Sequence, residues 1–183
     1  ELDTSFGVAG VVENSWIERI HGVAIQADGK IVAVGKEDHH FRITRYHQDG
    51  TIDTDFGDRE YNVANPNTLD WARGVAAHDD GNLLIGGTGN SFDHFSMLTI
   101  SNAGDRGAEY SYDWGPGNFV HSMLELPDGK YLLMGRAGNE FLISRHHPSG
   151  ELDTTFGVGG LYDPIHDFEG LTSFKVLLGV DTD

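Results

Sequence analysis

The chain has 183 residues, enough for one domain, and no cysteine, so neither a disulfide nor a thiolate metal site is available. Its net charge of −17, from 29 acidic against 12 basic residues, repels phosphate backbones and argues against nucleic acid as a partner. No apolar stretch is long enough to predict a membrane span.

A hexapeptide of the form Leu/Ile-Asp-Thr-x-Phe-Gly recurs along the chain in register. It occupies residues 2–7, 52–57 and 152–157, so later copies start fifty and one hundred and fifty residues after the first. A repeat of about fifty residues predicts a worn copy near position 102, where residues 102–107 keep little but a glycine.

Each repeat also carries an Asp-Gly pair that precedes an apolar run. The pairs stand at 28–29, 80–81 and 128–129, and the runs follow at 31–35, 83–86 and 131–135. Because Asp-Gly tolerates the positive φ angles of a type I′ turn, each pair predicts a β-hairpin with one strand before it and one after.

A third strand is predicted after each hairpin, starting at Phe41, Phe95 or Phe141, with a glycine nine residues later. Side chains alternate along a strand, so Phe41 and Ile43 are expected on one face. The hexapeptide and a short extended piece, such as residues 10–13 or 160–162, then complete four strands in about fifty residues. The sequence therefore predicts an all-β, β-propeller-like fold built from four-stranded antiparallel blades.

These landmarks define a single repeat domain over residues 1–183, with repeats at 1–51, 52–101 and 102–151 and a partial fourth at 152–183. Closed propellers have roughly four to eight blades, so three and a half blades would leave strand edges open. Two explanations fit. The favoured one is that the chain is part of a longer propeller, and the other is self-association through the partial fourth repeat.

The order of Asp-Gly-Lys, apolar strand, Phe-led strand and Leu-Asp-Thr-x-Phe-Gly resembles the delta-60 repeat family of β-propeller blades. The resemblance covers nearly the whole chain, with departures at Asn82 and at residues 102–107. It implies a module of large secreted or cell-surface bacterial proteins and supplies no catalytic residues. The expected function is that of a noncatalytic interaction or structural scaffold with a protein or glycan partner.

The aspartates of the hexapeptide are interpreted as structural. Asp3, Asp53 and Asp153 are each followed by threonine, a context in which the carboxylate accepts backbone N–H bonds in a local turn. The phenylalanine three residues later is expected to fill the space between blades.

The densest acidic cluster raises calcium as a candidate cofactor, because hard oxygen ligands in a loop suit that ion. The cluster lacks the EF-hand pattern, and two of its members are expected to stabilise turns of the repeat. No cofactor and no metal ligand is therefore predicted. Its members are Asp49, Asp53, Asp55 and Asp58.

Ten histidines include neighbouring pairs at 39–40 and 146–147. Adjacent residues on a strand point to opposite faces, so such a pair cannot chelate one ion. We expect these histidines to be exposed or to lie at sheet edges.

The three tryptophans suggest a carbohydrate-binding alternative. Trp16, Trp71 and Trp114 each fall between the hexapeptide position and the next hairpin, one per complete repeat. Equivalent loops would then present three indoles on one rim, where sugar rings stack. Packing of these indoles between blades is the competing interpretation.

No catalytic string such as a Gly-x-Ser-x-Gly elbow or a phosphate loop occurs, so no catalytic residue is assigned. Propeller enzymes can gather active residues from separate loops, which keeps a hydrolase or lyase as a further alternative. Its candidate groups are His21 and His121, which hold equivalent places before the second strand, where the second repeat has Arg73.

Overall fold

The computed structural model describes residues 1–13, 17–37, 40–56, 58–61, 69–89, 94–115 and 117–162. Within these ranges the chain forms twelve strands and no helix, arranged as three four-stranded antiparallel sheets. The prediction of an all-β fold with four-stranded blades is confirmed.

Each sheet uses four strands that follow one another in the chain. The first sheet contains β1 (Arg19–Ile25), β2 (Ile31–Glu37), β3 (His40–Tyr46) and β4 (Asp58–Tyr61). The second contains β5 (Leu69–Ala77), β6 (Leu83–Gly89), β7 (His94–Ile100) and β8 (Arg106–Tyr112). The third contains β9 (Phe119–Glu125), β10 (Tyr131–Ala137), β11 (Glu140–His146) and β12 (Leu161–Tyr162).

The sheets stack side by side, and their first strands lie next to one another. Strand β5 packs against β1 and β2, and β9 packs against β5 and β6. We call β1, β5 and β9 the inner strands, because this adjacency is that of the strands nearest the axis of a propeller.

Apolar side chains fill the space between consecutive sheets. Phe41 and Ile43 of the first sheet pack with Leu83 and Ile85 of the second, and all four are fully buried. A second apolar cluster joins the second and third sheets. The second blade therefore buries both of its faces. The expected sharing of one face by Phe41 and Ile43 is confirmed.

The hairpin turns differ from the predicted type I′. In the first hairpin Gln26 N donates to Lys30 O (2.9 Å) and Gly29 N to Gln26 O (2.8 Å). Gly29 has a φ of +83°, but Asp28 is not among the positive-φ residues of the described chain. The turn is therefore a type I turn closed by a left-handed glycine, which needs positive φ at one residue instead of two.

The structural blades are offset from the sequence repeats. Strands β4 and β12 follow the hexapeptide, so the hexapeptide links the third and fourth strands of one sheet. The extended piece predicted at residues 10–13 forms only an isolated bridge between Val8 and Val11. The partial fourth repeat beyond residue 162 lies outside the described residues.

The worn copy expected at residues 102–107 is not a hexapeptide loop. Gly104 N bonds to Ser101 O (2.8 Å), as Gly50 N bonds to His47 O (2.9 Å), so this segment is the preceding turn. Strand β8 begins at Arg106, soon after Gly104, and pairs with β7 with one register shift. The second blade has therefore lost the hexapeptide and made a longer fourth strand.

Candidate functional site

The three inner strands share one irregularity at the same position. In β1 the pairing with β2 skips His21, in β5 the pairing with β6 skips Arg73, and in β9 the pairing with β10 skips His121. A β-bulge of this kind redirects the side chain of the extra residue. From their sequence positions these three residues were expected to be equivalent. The structure shows that each is the extra residue of the same β-bulge.

Glycines on the second strand of the first and third sheets make room for the bulges. A Cβ on Gly35 would lie 1.9 Å from Arg19 O, and a Cβ on Gly135 would lie 2.1 Å from Phe119 O. No side chain fits at either position, which explains why the Asp-Gly-x-apolar run ends in glycine.

The bulge residues lie among aromatic rings. Arg73 Nη1 is 3.4 Å from His21 Nδ1. The Arg73 guanidinium carbon lies 4.3 Å from the ring centroid of Phe119 and 4.9 Å from that of Trp71. The ring of His121 stands 4.9 Å from that of Phe119, and the ring of His21 stacks near Trp71 at 6.5 Å.

Further cations surround this group. Lys36 Nζ lies 4.6 Å from the Trp71 ring centroid, and the Arg136 guanidinium carbon lies 5.9 Å from that of Phe119. A carboxylate, Glu18, approaches Lys36 at 3.6 Å and Arg19 at 4.0 Å. We call the whole set the axial basic cluster, with the members Arg19, His21, Lys36, Trp71, Arg73, Phe119, His121 and Arg136.

The electrostatics of the cluster disfavour added positive charge. Burial lowers the pKa of His21, and the neighbouring cations Arg73, Arg19 and Lys36 lower it further. Desolvation also lowers the pKa of His121, with Arg73 and Arg136 adding to the effect. Both imidazoles are therefore held toward their neutral form, in which one ring nitrogen donates and the other accepts.

The described tryptophans occupy different places. Trp71 is a half-buried residue of β5, two positions before the bulge. Trp114 follows β8 and packs against Tyr112 (5.6 Å, stacked) and Phe95 (4.8 Å, edge-on), inside the cluster between the second and third sheets. Trp16 lies outside the described residues. The two indoles that are described are not on equivalent loops, and binding of a ligand by any of the three stays a prediction.

The hexapeptide aspartates make the turn contacts that the sequence indicated. Asp53 Oδ1 accepts from Asp55 N (3.2 Å) and Asp153 Oδ1 from Thr155 N (3.1 Å). Hydrogen bonds from Thr155 and Lys130, with the charge of Arg145, hold the pKa of Asp153 well below its ordinary range.

Two members of the acidic cluster considered for calcium, Asp49 and Asp53, are engaged within the protein, and the side chain of Asp58 lies outside the described part of the chain. Asp49 Oδ1 accepts from Thr51 N (2.9 Å) and from its hydroxyl (2.7 Å), while Asp53 pairs with Arg45. Among the residues whose side chains are described, no group of three or more histidine or acidic side chains could hold a metal ion.

The expectation for the histidine pairs is wrong at His146. This side chain is fully buried, lies 2.9 Å from Ser144 Oγ through Nε2, and has Nδ1 3.1 Å from Gly150 O. It faces the space between the second and third blades beside Tyr112, so it is a core residue. The side chains of His39 and His40 lie outside the described part of the chain.

An open groove of about 740 Å³ lies at the opposite end of the second sheet, where the hairpin turns are. Two of its carboxylates are engaged locally: Asp80 accepts from Asn82 N (2.9 Å), and Asp105 Oδ2 accepts from Ser101 Oγ (3.4 Å).

Sequence reasoning identified the three bulge residues and Trp71 but missed Arg19, Phe119, Lys36 and Arg136. A signal for the last two was present, because each directly follows the glycine that ends the apolar run, at 35 and 135. Their convergence with Arg73 required the stacking of the sheets.

Comparison with known proteins agrees with this architecture. Residues 26–56 and 126–156 match a family model described as "Domain of unknown function (DUF5122) beta-propeller". The two matched segments are one hundred residues apart and cover the same part of the first and third sheets, from the first hairpin turn to the phenylalanine of the hexapeptide. No curated protein matches the sequence.

Solved structures with a similar fold include a virginiamycin B lyase from Staphylococcus aureus (19% identity, TM-score 0.50, 73% of this chain and 40% of that one). A streptogramin B lyase has 16% identity and a TM-score of 0.52 over 77% of this chain and 41% of that one. A protein from Lactobacillus plantarum has 17% identity and a TM-score of 0.51, over 79% and 42% respectively.

The chain thus spans less than half the length of the solved structures that it resembles. At these identities the similarity concerns the fold alone. Together with three stacked four-stranded sheets and two segments that match a propeller family model, it shows that this chain is built from β-propeller repeats.

Proposed function

We propose that this chain is a noncatalytic recognition module of a secreted or cell-surface bacterial protein, and that its partner binds at the axial basic cluster. The observation that carries the proposal is the β-bulge repeated at His21, Arg73 and His121. Bulges are concentrated where a side chain must be directed toward a site. We also propose that the repeats are of the delta-60 type.

The surroundings of the bulges support a binding role. The sheets are held rigid by fully buried cores on both sides of the second blade. The cluster itself remains accessible, because His121 and Arg136 are exposed and Trp71 and Phe119 are half-buried. Partly exposed aromatic and arginine side chains on a rigid scaffold are the composition of binding hot spots. The partner class is a protein or a glycan.

A glycan partner is favoured by Trp71. Its half-buried indole lies beside Arg73 and His21, whose nitrogens would meet the hydroxyl groups of a stacked sugar. Trp114 is less suited to this role because it packs against the apolar cluster between the second and third sheets, whereas Trp71 lies among side chains that can bind hydroxyl groups.

An enzymatic alternative rests on the state of the histidines. His21 and His121 have lowered pKa values and flank Arg73, so a neutral imidazole base would lie next to a cation able to stabilise a developing negative charge. The lyases among the structurally similar proteins make proton abstraction the reaction class to test.

Binding to arrays of neutral glycans, acidic glycans and synthetic peptides tests the proposal. We expect the wild-type chain to retain a subset of ligands and His121→Ala to lose them. The matched control is His147→Ala, which removes a histidine that lies outside the cluster. The mass of each retained ligand should be unchanged after prolonged incubation.

Two results would contradict the proposal. Binding that survives His121→Ala and Arg73→Gln alike would place the recognition surface elsewhere on the chain. A product of altered mass, formed by the wild type and not by His121→Ala, would favour the lyase or hydrolase alternative.

A further inference from the structure

We propose that the axial basic cluster recognises an oxyanion, a carboxylate or phosphate group, through the edge of the Arg73 guanidinium. This inference rests on the proposed binding function and adds the chemical class of the ligand. It is drawn from the charges, the unpartnered nitrogens and the aromatic contacts of the cluster.

The charge of the cluster is opposite to that of the chain. A protein with a net charge of −17 collects four arginine or lysine side chains and two histidines around the bulges. Glu18 approaches Arg19 and Lys36. Within the described residues no carboxylate pairs with Arg73, although its burial lowers its own pKa and favours a negative partner.

Two aromatic rings lie against the Arg73 guanidinium. Phe119 and Trp71 lie 4.3 and 4.9 Å from the guanidinium carbon. The Nε atom is buried and has no hydrogen-bond partner within the described structure. A planar edge with an unused N–H is the part of arginine that binds carboxylate and phosphate oxygens.

His21, which contacts Arg73, supplies a second hydrogen-bond donor. Arginine has no acceptor, so the 3.4 Å contact between Arg73 Nη1 and His21 Nδ1 requires that Nδ1 accepts. The proton of the neutral imidazole then resides on Nε2, which is also buried and without a partner in the described residues. Buried polar atoms are nearly always hydrogen-bonded in proteins, so these unpaired donors, on two residues in contact, are the groups of the cluster that an oxyanion would satisfy.

NMR titration with citrate and with pyrophosphate tests this inference and separates the two sources of oxyanion. The reporters are the Trp71 indole N–H signal, assigned with Trp71→Phe, and the ring signals of His21 and His121. The variants are Arg73→Gln and the matched control Arg106→Gln, an arginine paired with Glu109 on β8.

We expect at least one of the two anions to shift the Trp71 and His21 signals saturably. Arg73→Gln should weaken that binding at least tenfold, because a charge-assisted contact is lost, and Arg106→Gln should leave it unchanged. Raising the salt concentration from 0.05 to 0.5 M should weaken it several-fold through screening. Should Arg73→Gln fail to fold, Lys36→Gln and Arg136→Gln are the substitute variants, and each should also weaken binding.

The inference is overturned if neither anion shifts the Trp71 signal, or if binding is equally strong in Arg73→Gln. Neutral glycans that bind at the cluster while both anions fail would refute the oxyanion but keep the recognition role. Anions that bind at the cluster while every glycan and peptide fails would support the oxyanion site and contradict the recognition role.

Discussion

Arg45 Nε lies 2.8 Å from Asp53 Oδ2, and Arg145 Nε lies at the same distance from Asp153 Oδ2. In each of these two sheets, a lysine from the turn between the first and second strands also contacts the aspartate. The distances from Nζ to Oδ2 are 3.3 Å for Lys30 and 3.0 Å for Lys130. The hexapeptide aspartate is thus the acceptor of an ion triad that ties the turn to strand three. Both aspartates are almost fully buried.

The second blade lacks all three members of the triad. Asn82 stands in place of the lysine, Thr99 in place of the arginine and Gly107 in place of the aspartate. Thr99 Oγ1 bonds instead to Ala108 O (3.2 Å). Loss of one member alone would leave a buried charge without its partner, which explains why the three positions differ together.

Asp53→Ala should destabilise the fold by about 3 kcal/mol, because it leaves the buried Arg45 guanidinium without its carboxylate partner. Burial acts to raise the pKa of Asp53, but the charge of Arg45 and hydrogen bonds from Lys30 outweigh it and lower the pKa. Urea unfolding at pH 7 measures the loss. Asp3→Ala is the matched control, since Asp3 is exposed and its carboxylate bonds only to Ser5 among described partners. Equal effects of the two variants would contradict the triad argument.

Replacing the whole triad by its second-blade equivalents should cost less than removing the aspartate alone. The comparison is Asp53→Gly against the triple variant Lys30→Asn, Arg45→Thr and Asp53→Gly. We expect the triple variant to be more stable by about 1 kcal/mol or more, because no buried charge remains unpaired. Arg45 also donates to Asn102 Oδ1 in the second blade (2.7 Å), and the lost bond limits the recovery. A triple variant less stable than the single one would refute the prediction.

His146 should make stability depend on pH. Burial lowers its pKa to about 4 from the ordinary 6.5. Between these pH values His146 is protonated in the unfolded chain and neutral in the folded chain. The free energy of unfolding therefore falls as the pH decreases from 6.5 to 4, by about 3 kcal/mol at most. Urea unfolding at pH values from 4 to 8 should show that the free energy of unfolding depends less on pH in His146→Gln than in the wild type. An unchanged dependence of stability on pH in His146→Gln would contradict the assignment.

Gly135→Ala should disturb the bulge at His121. Its Cβ would lie 2.1 Å from Phe119 O and 2.8 Å from Phe95 Cζ, so the cost should be about 2 kcal/mol or more. Gly129→Ala is the control, with a φ of +77° but no atom near its Cβ, and should cost about 1 kcal/mol. Chemical denaturation gives both values, and the His121 ring signals should shift only in Gly135→Ala. A smaller loss for Gly135→Ala than for Gly129→Ala would count against this packing.

The two bulge histidines should titrate below pH 6.5, and Arg73→Gln should raise both midpoints. Burial, the larger cause of the lowered pKa values, persists in the variant, so recovery should be partial. Removal of a neighbouring positive charge favours the imidazolium form, which sets the direction. NMR titration of the imidazole C–H signals measures it, with Arg106→Gln as the control. Midpoints that are the same in wild type and Arg73→Gln would show that Arg73 does not face these rings.

The sequence by itself determined the repeat, the strand composition and the turn positions, since these depend on local chemistry. Alternation put Phe41 and Ile43 on one face, and Asp53 with its following residues specified a turn. The type of hairpin turn was predicted wrongly because Asp-Gly is compatible with positive φ at one residue or at two, and only the backbone shows which is used.

The site and the buried histidine were decided by tertiary structure alone. His21, Arg73 and His121 are about fifty residues apart in the chain, and they meet because three sheets stack with their inner strands adjacent. His146 and His147 cannot be distinguished from sequence, but His146 is buried between blades and His147 is partly exposed. Which strand faces meet depends on contacts between blades, and these long-range contacts leave no local pattern in the sequence.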